Sequence, residues 1–443
     1  MALAPSSGLS HSLRSIQLED IPVAQPTARV HAATGLLLEC TGAALPLGAR
    51  CHIEMPQGAS VPAQVVGFRG AASFLMPLRA APGLATGARV TLEAERQQLQ
   101  IGLSWLGRVV NGLGEPMDGR GKLTGEHVLN MQPPRVNPLR KRPVDQSMDV
   151  GVRAINGMLT LGRGQRVGLF AGSGVGKSVL LGMMTQHTEA DVIVVGLIGE
   201  RGREVREFME HALGPKGLQR AVVIVAPADE PALVRMMATE LCHSVAAHFR
   251  DQGLNVLLLV DSLTRYAMAR REIALALGEP PATRGYPPSV FSMLPQLVES
   301  AGNGEHPEGS MTAIYTVLAE GDDQQDPIAD TARAILDGHV VLTRELAERG
   351  HYPAIDVAAS ISRCMPQVVD AQHLAAARQA KELMARYAQV RDLMPLGAYV
   401  AGADPRTDAA VQRWPQMEAF LRQSTHEAAD MGLSQQQLQQ VVA

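Results

Sequence analysis

Residues 171–178 read Ala-Gly-Ser-Gly-Val-Gly-Lys-Ser and follow directly on the apolar run Val167-Gly168-Leu169-Phe170. A strand that ends in a loop of small residues, closes on Lys-Ser and opens a helix is a phosphate-binding device. Gly172, Gly174 and Gly176 let the backbone curl, so that N–H groups along Gly172, Ser173, Gly174, Val175, Gly176, Lys177, Ser178 and Val179 can face the β- and γ-phosphates of a nucleoside triphosphate. Lys177 adds a point charge there, and the Ser178 hydroxyl can hold Mg²⁺. The strict pattern places Gly at 171. Ala, the smallest side chain that can replace it, reads as a tolerated variant.

Hydrolysis needs more than a cradle. A metal must be held, a water oriented or deprotonated, and charge on the transferring phosphoryl group neutralised. Val256-Leu257-Leu258-Leu259-Val260-Asp261 is an apolar strand ending in a carboxylate 84 residues after Lys177. In a parallel sheet the carboxyl ends of the strands share one edge, so Asp261 can reach the phosphate crevice as a Mg²⁺ partner. An Asp at this place could instead cap the helix beginning near Ser262. A second strand, Val192–Ile198, ends in Gly199-Glu200-Arg201-Gly202-Arg203-Glu204. Glu200 emerges at the same edge and is the candidate for activating water. The other charges of that cluster can equally be a solvated loop or subunit contacts.

The elements that must position these residues are legible as texture. Residues 1–28 are polar and mixed, with a short amphipathic piece at 9–18 that reads as a docking tail. From 29 to 95 short β-type runs are broken by Gly and Pro, as in a small barrel. Beyond 150 the rhythm becomes strand–helix–strand. The candidates Arg166–Phe170, Val192–Ile198, Val222–Ala226, Val256–Val260, Ala313–Leu318 and Val340–Thr343 are near-continuous apolar runs, as expected of a parallel sheet covered on both faces. Between two of them, residues 231–250 have helical spacing, with Asp229 as N-cap and Gly253 as stop. From 367 onward the chain is helical, with Leu374, Leu383, Met384, Tyr387, Val390 and Leu393 on one broad face.

Composition narrows the function class. The 443 residues carry 40 basic and 44 acidic side chains, a net charge of −4, and only 3% aromatics. A dedicated nucleic-acid binder would show a basic excess and rings for stacking. Cys40, Cys51, Cys242 and Cys364 have no metal-ligand spacing and read as buried small hydrophobes or free thiols. No apolar run approaches ~18 residues and no signal pattern opens the chain, so a cytoplasmic protein is expected.

The phosphate loop, Gly-Glu-Arg at 199–201 and Leu-Val-Asp-Ser at 259–262 resemble the catalytic subunits of rotary ATP synthases. They resemble more closely the flagellar and type III secretion export ATPases. The stretch Pro353-Ala354-Ile355-Asp356-Val357-Ala358-Ala359-Ser360-Ile361-Ser362 matches the signature of that superfamily. Leu106–Gly121, Arg284–Gly302, Asp326-Pro327-Ile328-Ala329-Asp330 and 397–404 are similar to the export branch. The likeness runs from about residue 30 to the C-terminus, and the Ala at 171 is common in this branch.

The resemblance implies an α/β, RecA-like P-loop NTPase core with a mainly parallel sheet (96–366), an N-terminal small β-barrel (29–95) and a C-terminal helical domain (367–443), assembled as a homohexamer. It implies ATP and Mg²⁺, with Ser178 and Asp261 on the metal and Lys177, Glu200 and Arg201 in the catalytic set. Arg265 matches a phosphate-side arginine. Arg363 falls where the family carries an arginine finger that reaches the neighbouring subunit's γ-phosphate, a group worth roughly 10³–10⁵ in kcat. Tyr352 matches the aromatic that packs on adenine, though a core tyrosine would look the same, and Phe420 would close that pocket. The loop 284–289 would line the ring's opening and touch a central-stalk protein. A stator-like regulator at the tail, an export gate and chaperone–substrate complexes are the other implied partners, with the ring peripheral to the inner membrane through them. The flagellar machine is the leading reading and the injectisome the runner-up. A synthase catalytic subunit is disfavoured by 326–330 and by the absence of a strongly acidic loop near 391–397. Net charge and sparse aromatics oppose a Rho-like RNA translocase, and the presence of Lys177, Glu200, Asp261 and Arg363 opposes a non-catalytic scaffold.

Overall fold

The computed structural model describes residues 26–56, 58–93, 98–131, 137–305, 309–318 and 326–443. The docking-tail expectation falls almost wholly on residues 1–25, outside the described residues. The chain divides into two compact units, residues 1–97 and 98–443.

The first unit is a closed antiparallel barrel. Its strands β1 (Thr27–Thr34), β2 (Leu37–Gly42), β3 (Arg50–Glu54), β4 (Ser60–Arg69), β5 (Ala72–Pro77) and β6 (Arg89–Leu92) pair in the order β1-β2-β5-β4-β3-β6. Alternation fills the inside: Val30, Leu38, Ile53, Val65, Leu75 and Val90 are buried and mostly flanked by more exposed residues. Register breaks at Val30/Ala32 and Val65/Gly67 supply the extra twist a small closed sheet needs. Cys40 and Cys51 point into this core. Burial pushes the Cys51 thiol up to about 11 and Cys40 to about 12, so both behave as small hydrophobes.

The second unit is built on an eight-stranded sheet. Two short ribbons flank it, β7 (Gln100–Ile101) with β9 (His127–Val128) and β10 (Ser147–Met148) with β11 (Leu161–Gly162). The main strands are β8 (Arg108–Asn111), β12 (Arg166–Ala171), β13 (Val192–Ile198), β14 (Ala221–Ala226), β15 (Asn255–Asp261), β16 (Ser310–Leu318), β17 (Gly338–Leu342) and β18 (Ile355–Ser362). Their order is β18-β17-β12-β16-β15-β13-β14-β8, parallel except for β18, which runs antiparallel to β17. Helices cover both faces. That is why β13 and β14 are apolar and buried at every position, with no alternation to read.

All six sheet strands expected from sequence form, each within a few residues of its expected bounds. The helix expected over 231–250 forms at Ala232–Asp251, but Pro231 occupies its N-cap position and no side chain caps it, so Asp229 does not.

The C-terminal helices Ala371–Arg391, Pro405–Leu421 and Met431–Val442 each begin on an Asp that accepts from the first turn: Asp370, Asp404 and Asp430. The first of them meets the core through His373, Ala376, Ala377 and Ala380, a narrower and smaller-residue seam than the expected Leu-rich face. His373 donates from Nε2 to the Gly157 carbonyl at 2.8 Å. Leu383, Met384 and Tyr387 are partly buried, with Tyr387 stacked on Trp414 at 3.9 Å, and Leu393 is exposed.

Candidate active site

β12 delivers the phosphate loop to the carboxyl edge of the sheet. Ala171 is its last residue, in parallel register with Leu318 and Leu342, and is buried in the core. At 171 the backbone is ordinary strand, so a Cβ is accommodated and glycine is not required. The positions that do need glycine come later, where Gly174 and Gly176 have φ of 79° and 89°. Gly176 is the N-cap of the helix Lys177–His187 and offers no side-chain cap. The first-turn N–H groups are therefore available to an anion, at the positive end of the helix dipole. Val175 contributes backbone to the loop while its side chain is buried.

Three charged groups converge behind the loop. Lys177 Nζ lies 2.6 Å from Asp261 Oδ1 and 3.5 Å from Glu200 Oε1. Asp261 is the last residue of β15 and also accepts from Thr316 Oγ1 at 2.6 Å. It is not the cap of the following helix. Ser262 takes that place, accepting from the Arg265 amide. Burial pulls on the Lys177 ammonium, yet Asp261 and Glu200 outweigh it and hold the lysine charged, above its ordinary range.

Glu200 follows Gly199, whose φ is 71°. A Cβ at 199 would stand 2.9 Å from Arg265 Cβ, so this glycine admits the Arg265 stem against the strand end. Burial, joined by the nearby Asp261 charge, pushes the Glu200 carboxyl up to about 8, with Lys177 partly opposing. Glu200 also hydrogen-bonds Glu204, and that bond leads the forces that hold Glu204 below its ordinary range. Of the two carboxyls, Glu200 is therefore the one that takes up a proton more readily.

Lys177, Glu200 and Glu204 line a cavity of about 630 Å³ with the loop glycines, Ser173, Ser178, Val179, Arg201, Arg265 and Arg344, while Asp261 is buried behind Lys177. Arg265 Nε is buried without a hydrogen-bond partner, a donor suited to a phosphate oxygen. Arg201 is largely exposed on the outer wall, 4.0 Å from Glu204. The Tyr352 ring is half exposed and stands over the loop, 3.5 Å from where a Gly176 Cβ would be, so it is not a core tyrosine. A second cavity of about 650 Å³ shares Ser178, Val179 and Glu204 with the first and is walled by Thr425 and His426.

Phe420 is not brought to either cavity. It is 3% exposed, sits in the core and packs on Gly157, where a Cβ would meet its Cζ at 2.8 Å. The C-terminal segment reaches the nucleotide side through Thr425 and His426 instead, five and six positions further on. The expectation that Phe420 closes the adenine pocket comes from the resemblance alone, and a core ring could stand at the same position. Thr316, Glu204 and Arg344 were likewise missed. Glu204 had a signal, its i, i+4 spacing from Glu200; Thr316 inside an apolar strand had none.

Arg363 is also apart from the loop. β18 runs antiparallel, so its end lies level with the start of β17 and β12, while the loop follows the other end of β12. The six residues of β12 separate the two by ~20 Å at ~3.3 Å per residue. There the Arg363 amide donates to the Asp337 carbonyl at 3.0 Å and the exposed guanidinium donates to the Arg333 carbonyl at 3.3 Å.

Among known proteins, residues 151–362 match the model of the ATP synthase alpha/beta family, nucleotide-binding domain, and residues 369–440 that of the T3SS EscN ATPase C-terminal domain. The flagellum-specific ATP synthase of Pseudomonas aeruginosa is 56% identical over 425 residues, covering 95% of this chain and 94% of that protein. The assembled ATPase EscN of the enteropathogenic E. coli type III secretion system superposes with a TM-score of 0.87 at 42% identity, covering 94% of this chain and 100% of that one. EscN in complex with its central stalk EscO gives 0.85 at 43% identity, with the same coverage. A P-loop at the carboxyl edge of a parallel sheet, with Lys, Asp and Glu converging on it, agrees with this similarity along nearly the whole chain: it belongs to the family of flagellum-specific and type III secretion ATPases, enzymes that hydrolyse ATP.

Proposed function

We propose that this chain is the Mg²⁺-dependent ATPase of a type III export apparatus, working as a homohexameric ring that energises or primes export of unfolded flagellar subunits. One observation carries the catalytic part of the reading. Lys177, Glu200 and Asp261 meet at one edge of the sheet, whereas Arg363 stands exposed at the other. A single chain holds a complete cradle and base but keeps its finger ~20 Å away. A ring of identical chains resolves this, each Arg363 serving the site of the next subunit.

In this reading the loop amides and Lys177 bind the β- and γ-phosphates, and Tyr352 packs on the base. The groups that would hold a metal, the Ser178 hydroxyl lining the cavity and the Asp261 carboxylate engaged by Lys177 and Thr316 behind it, are hard oxygens and few in number. That fits Mg²⁺, which takes one or two protein ligands and completes its shell with phosphate oxygens and water. Bound there, Mg²⁺ would supply positive charge to offset that of the phosphate oxygens. Thr316 orients the Asp261 carboxylate by donating to Oδ1. Glu200, once its proton has gone, accepts a proton from the attacking water. Arg265 and the neighbour's Arg363 stabilise charge on the phosphoryl group in flight. Arg201, further out, closes the charged wall.

The 56% identity to the P. aeruginosa flagellum-specific enzyme supports the flagellar branch as the leading reading. We further propose a central-stalk partner at the loop 284–289, as EscN has EscO, a stator-like regulator on the N-terminal tail, and export-gate and chaperone–substrate contacts. No helix among the described residues is long and apolar enough to cross a membrane; in this reading the ring is cytoplasmic and held at the inner membrane by its partners.

Two experiments test the reading. Glu200→Gln should bind a fluorescent ATP analogue normally and lose hydrolysis; wild-type turnover would remove Glu200 from its role. Restored motility on expressing the chain in a flagellar-ATPase deletion strain supports the flagellar branch. Restored effector secretion in an injectisome-ATPase deletion strain, without motility, would replace it with the injectisome branch.

A further inference from the structure

The end of β18 is held by an unusually complete polar clamp. Gln165, the residue before β12, is fully buried. Its Oε1 accepts from the Gly162 amide at 2.9 Å, and its Nε2 donates to the Asp337 carbonyl at 3.2 Å and to Ser362 Oγ at 3.1 Å. The backbone partners fix the amide's orientation, since Gly162 N–H can only donate and Asp337 C=O can only accept. Ser362 Oγ in turn donates to the Thr160 carbonyl at 2.8 Å.

These bonds surround one residue. The Asp337 carbonyl that accepts from Gln165 also accepts from the Arg363 amide. Ser362 is the residue immediately before Arg363. Asp337 is itself pinned, because its carboxylate takes Arg166 Nε at 2.9 Å and Nη2 at 3.1 Å. Gly338 makes room for the arrangement, as a Cβ there would stand 2.5 Å from the Ile361 carbonyl oxygen and 3.2 Å from Gln165 Nε2.

We infer that Gln165 is a positioning residue for Arg363, fixing the backbone from which the arginine reaches the neighbouring site. The inference rests on the trans role of Arg363 proposed above. It adds a physical link between sites. Gln165 leads into β12, and β12 ends in the phosphate loop of the same chain. β18 runs the other way, from just after Tyr352 at the nucleotide edge to Arg363 at the far edge. Through the clamp, the loop and ring that hold one nucleotide and the arginine that serves the next belong to one hydrogen-bonded body. A displacement of about 1 Å in a positioned group can cost ~10²-fold in rate, so small movements of this body suffice to couple the two sites.

The test uses the full-length protein with Gln165→Met, which keeps the side chain's length and removes its hydrogen bonds. Wild type, Arg363→Ala and Glu200→Gln are the comparators. Expected for Gln165→Met is a kcat lowered about 10- to 100-fold with affinity for a fluorescent ATP analogue unchanged, since the loop lies at the other edge. The decisive readout is subunit mixing. Equimolar Gln165→Met and Glu200→Gln should regain activity, because about a quarter of the interfaces in a randomly mixed ring pair an intact base with an intact finger. Gln165→Met mixed with Arg363→Ala should regain none, both being defective in the same half. The inference is overturned if Gln165→Met turns over normally, if its nucleotide affinity falls with kcat, or if its mixture with Glu200→Gln stays inactive while Arg363→Ala with Glu200→Gln recovers. Failure of that last control mixture would instead overturn the trans role of Arg363, and the inference with it. Should Gln165→Met not fold, Ser362→Ala opens the same clamp from its other side and carries the same outcomes.

Discussion

Replacing Glu200 by Gln should abolish hydrolysis and, at the same time, stabilise the protein. The side chains are isosteric, and the Gln amide can still donate to Glu204. What disappears is a charge that the site penalises. Burial and the Asp261 charge raise the Glu200 carboxyl from 4.5 to about 8, and each pH unit of that displacement reflects ~1.4 kcal/mol. The sign follows from proton counting. Below about pH 4.5 the carboxyl is neutral in folded and unfolded chains alike, and the substitution gains nothing. Between about pH 4.5 and 8 the unfolded chain is ionised while the folded one holds its proton, so wild-type stability falls as pH rises. Above about 8 the penalty is complete, on the order of 5 kcal/mol. Loss of a general base costs ~10²–10⁴ in kcat. The assay is thermal unfolding of both proteins at about pH 5 and about pH 9, alongside ATPase rates. The variant's melting temperature should match wild type at the acid end and exceed it by roughly 5–10 °C at the alkaline end. Equal melting temperatures at both pH values, or wild-type turnover, would refute the reasoning.

Other consequences are open to direct measurement. The kcat/KM for ATP, which reports the free enzyme, should rise with pH through a midpoint near 8 as Glu200 loses its proton. Glu204→Gln should move that midpoint down, because it removes the carboxylate that holds the proton there; an unmoved midpoint would dissociate the pair. Tyr352→Ala should raise KM about 5- to 150-fold with kcat little changed, as loss of ring stacking is worth ~1–3 kcal/mol; an unaltered KM would take the ring off the base. Phe420→Ala should cost about 3–5 kcal/mol of stability and leave KM alone in the folded fraction, since the ring packs on Gly157.

How far the sequence is readable depends on what each residue faces. The apolar strands were legible because a parallel sheet covered on both faces demands continuous runs, and β13 and β14 are buried throughout. Lys177, Glu200 and Asp261 were legible because each sits at a strand's carboxyl end or just beyond it, and topology brings those ends together. Ala171 looked like a flaw only against a pattern; in the fold it is still strand, and the loop's left-handed positions begin later. Phe420 shows the opposite limit. An aromatic on the inner face of a helix satisfies core and pocket equally in sequence, and only its packing on Gly157 decides. The serines of 353–362 carry a similar ambiguity. Ser360 accepts from the Val341 amide and Ser362 donates to Thr160, so they stitch an irregular edge strand, a role with no periodic signature. That Arg363 lies across the sheet from its own loop follows from β18 being antiparallel, which no local pattern announces.

The central claim is that one hydrolytic site is assembled from two chains. The most direct measurement is the ATPase rate of Glu200→Gln and Arg363→Ala, each inactive alone, after they are dissociated together, mixed in equal amounts and allowed to form rings. Activity should return to about a quarter of the wild-type value, the fraction of interfaces that join an intact base to an intact finger. A mixture as inactive as its components would place both groups in the service of a single chain's site and contradict the account.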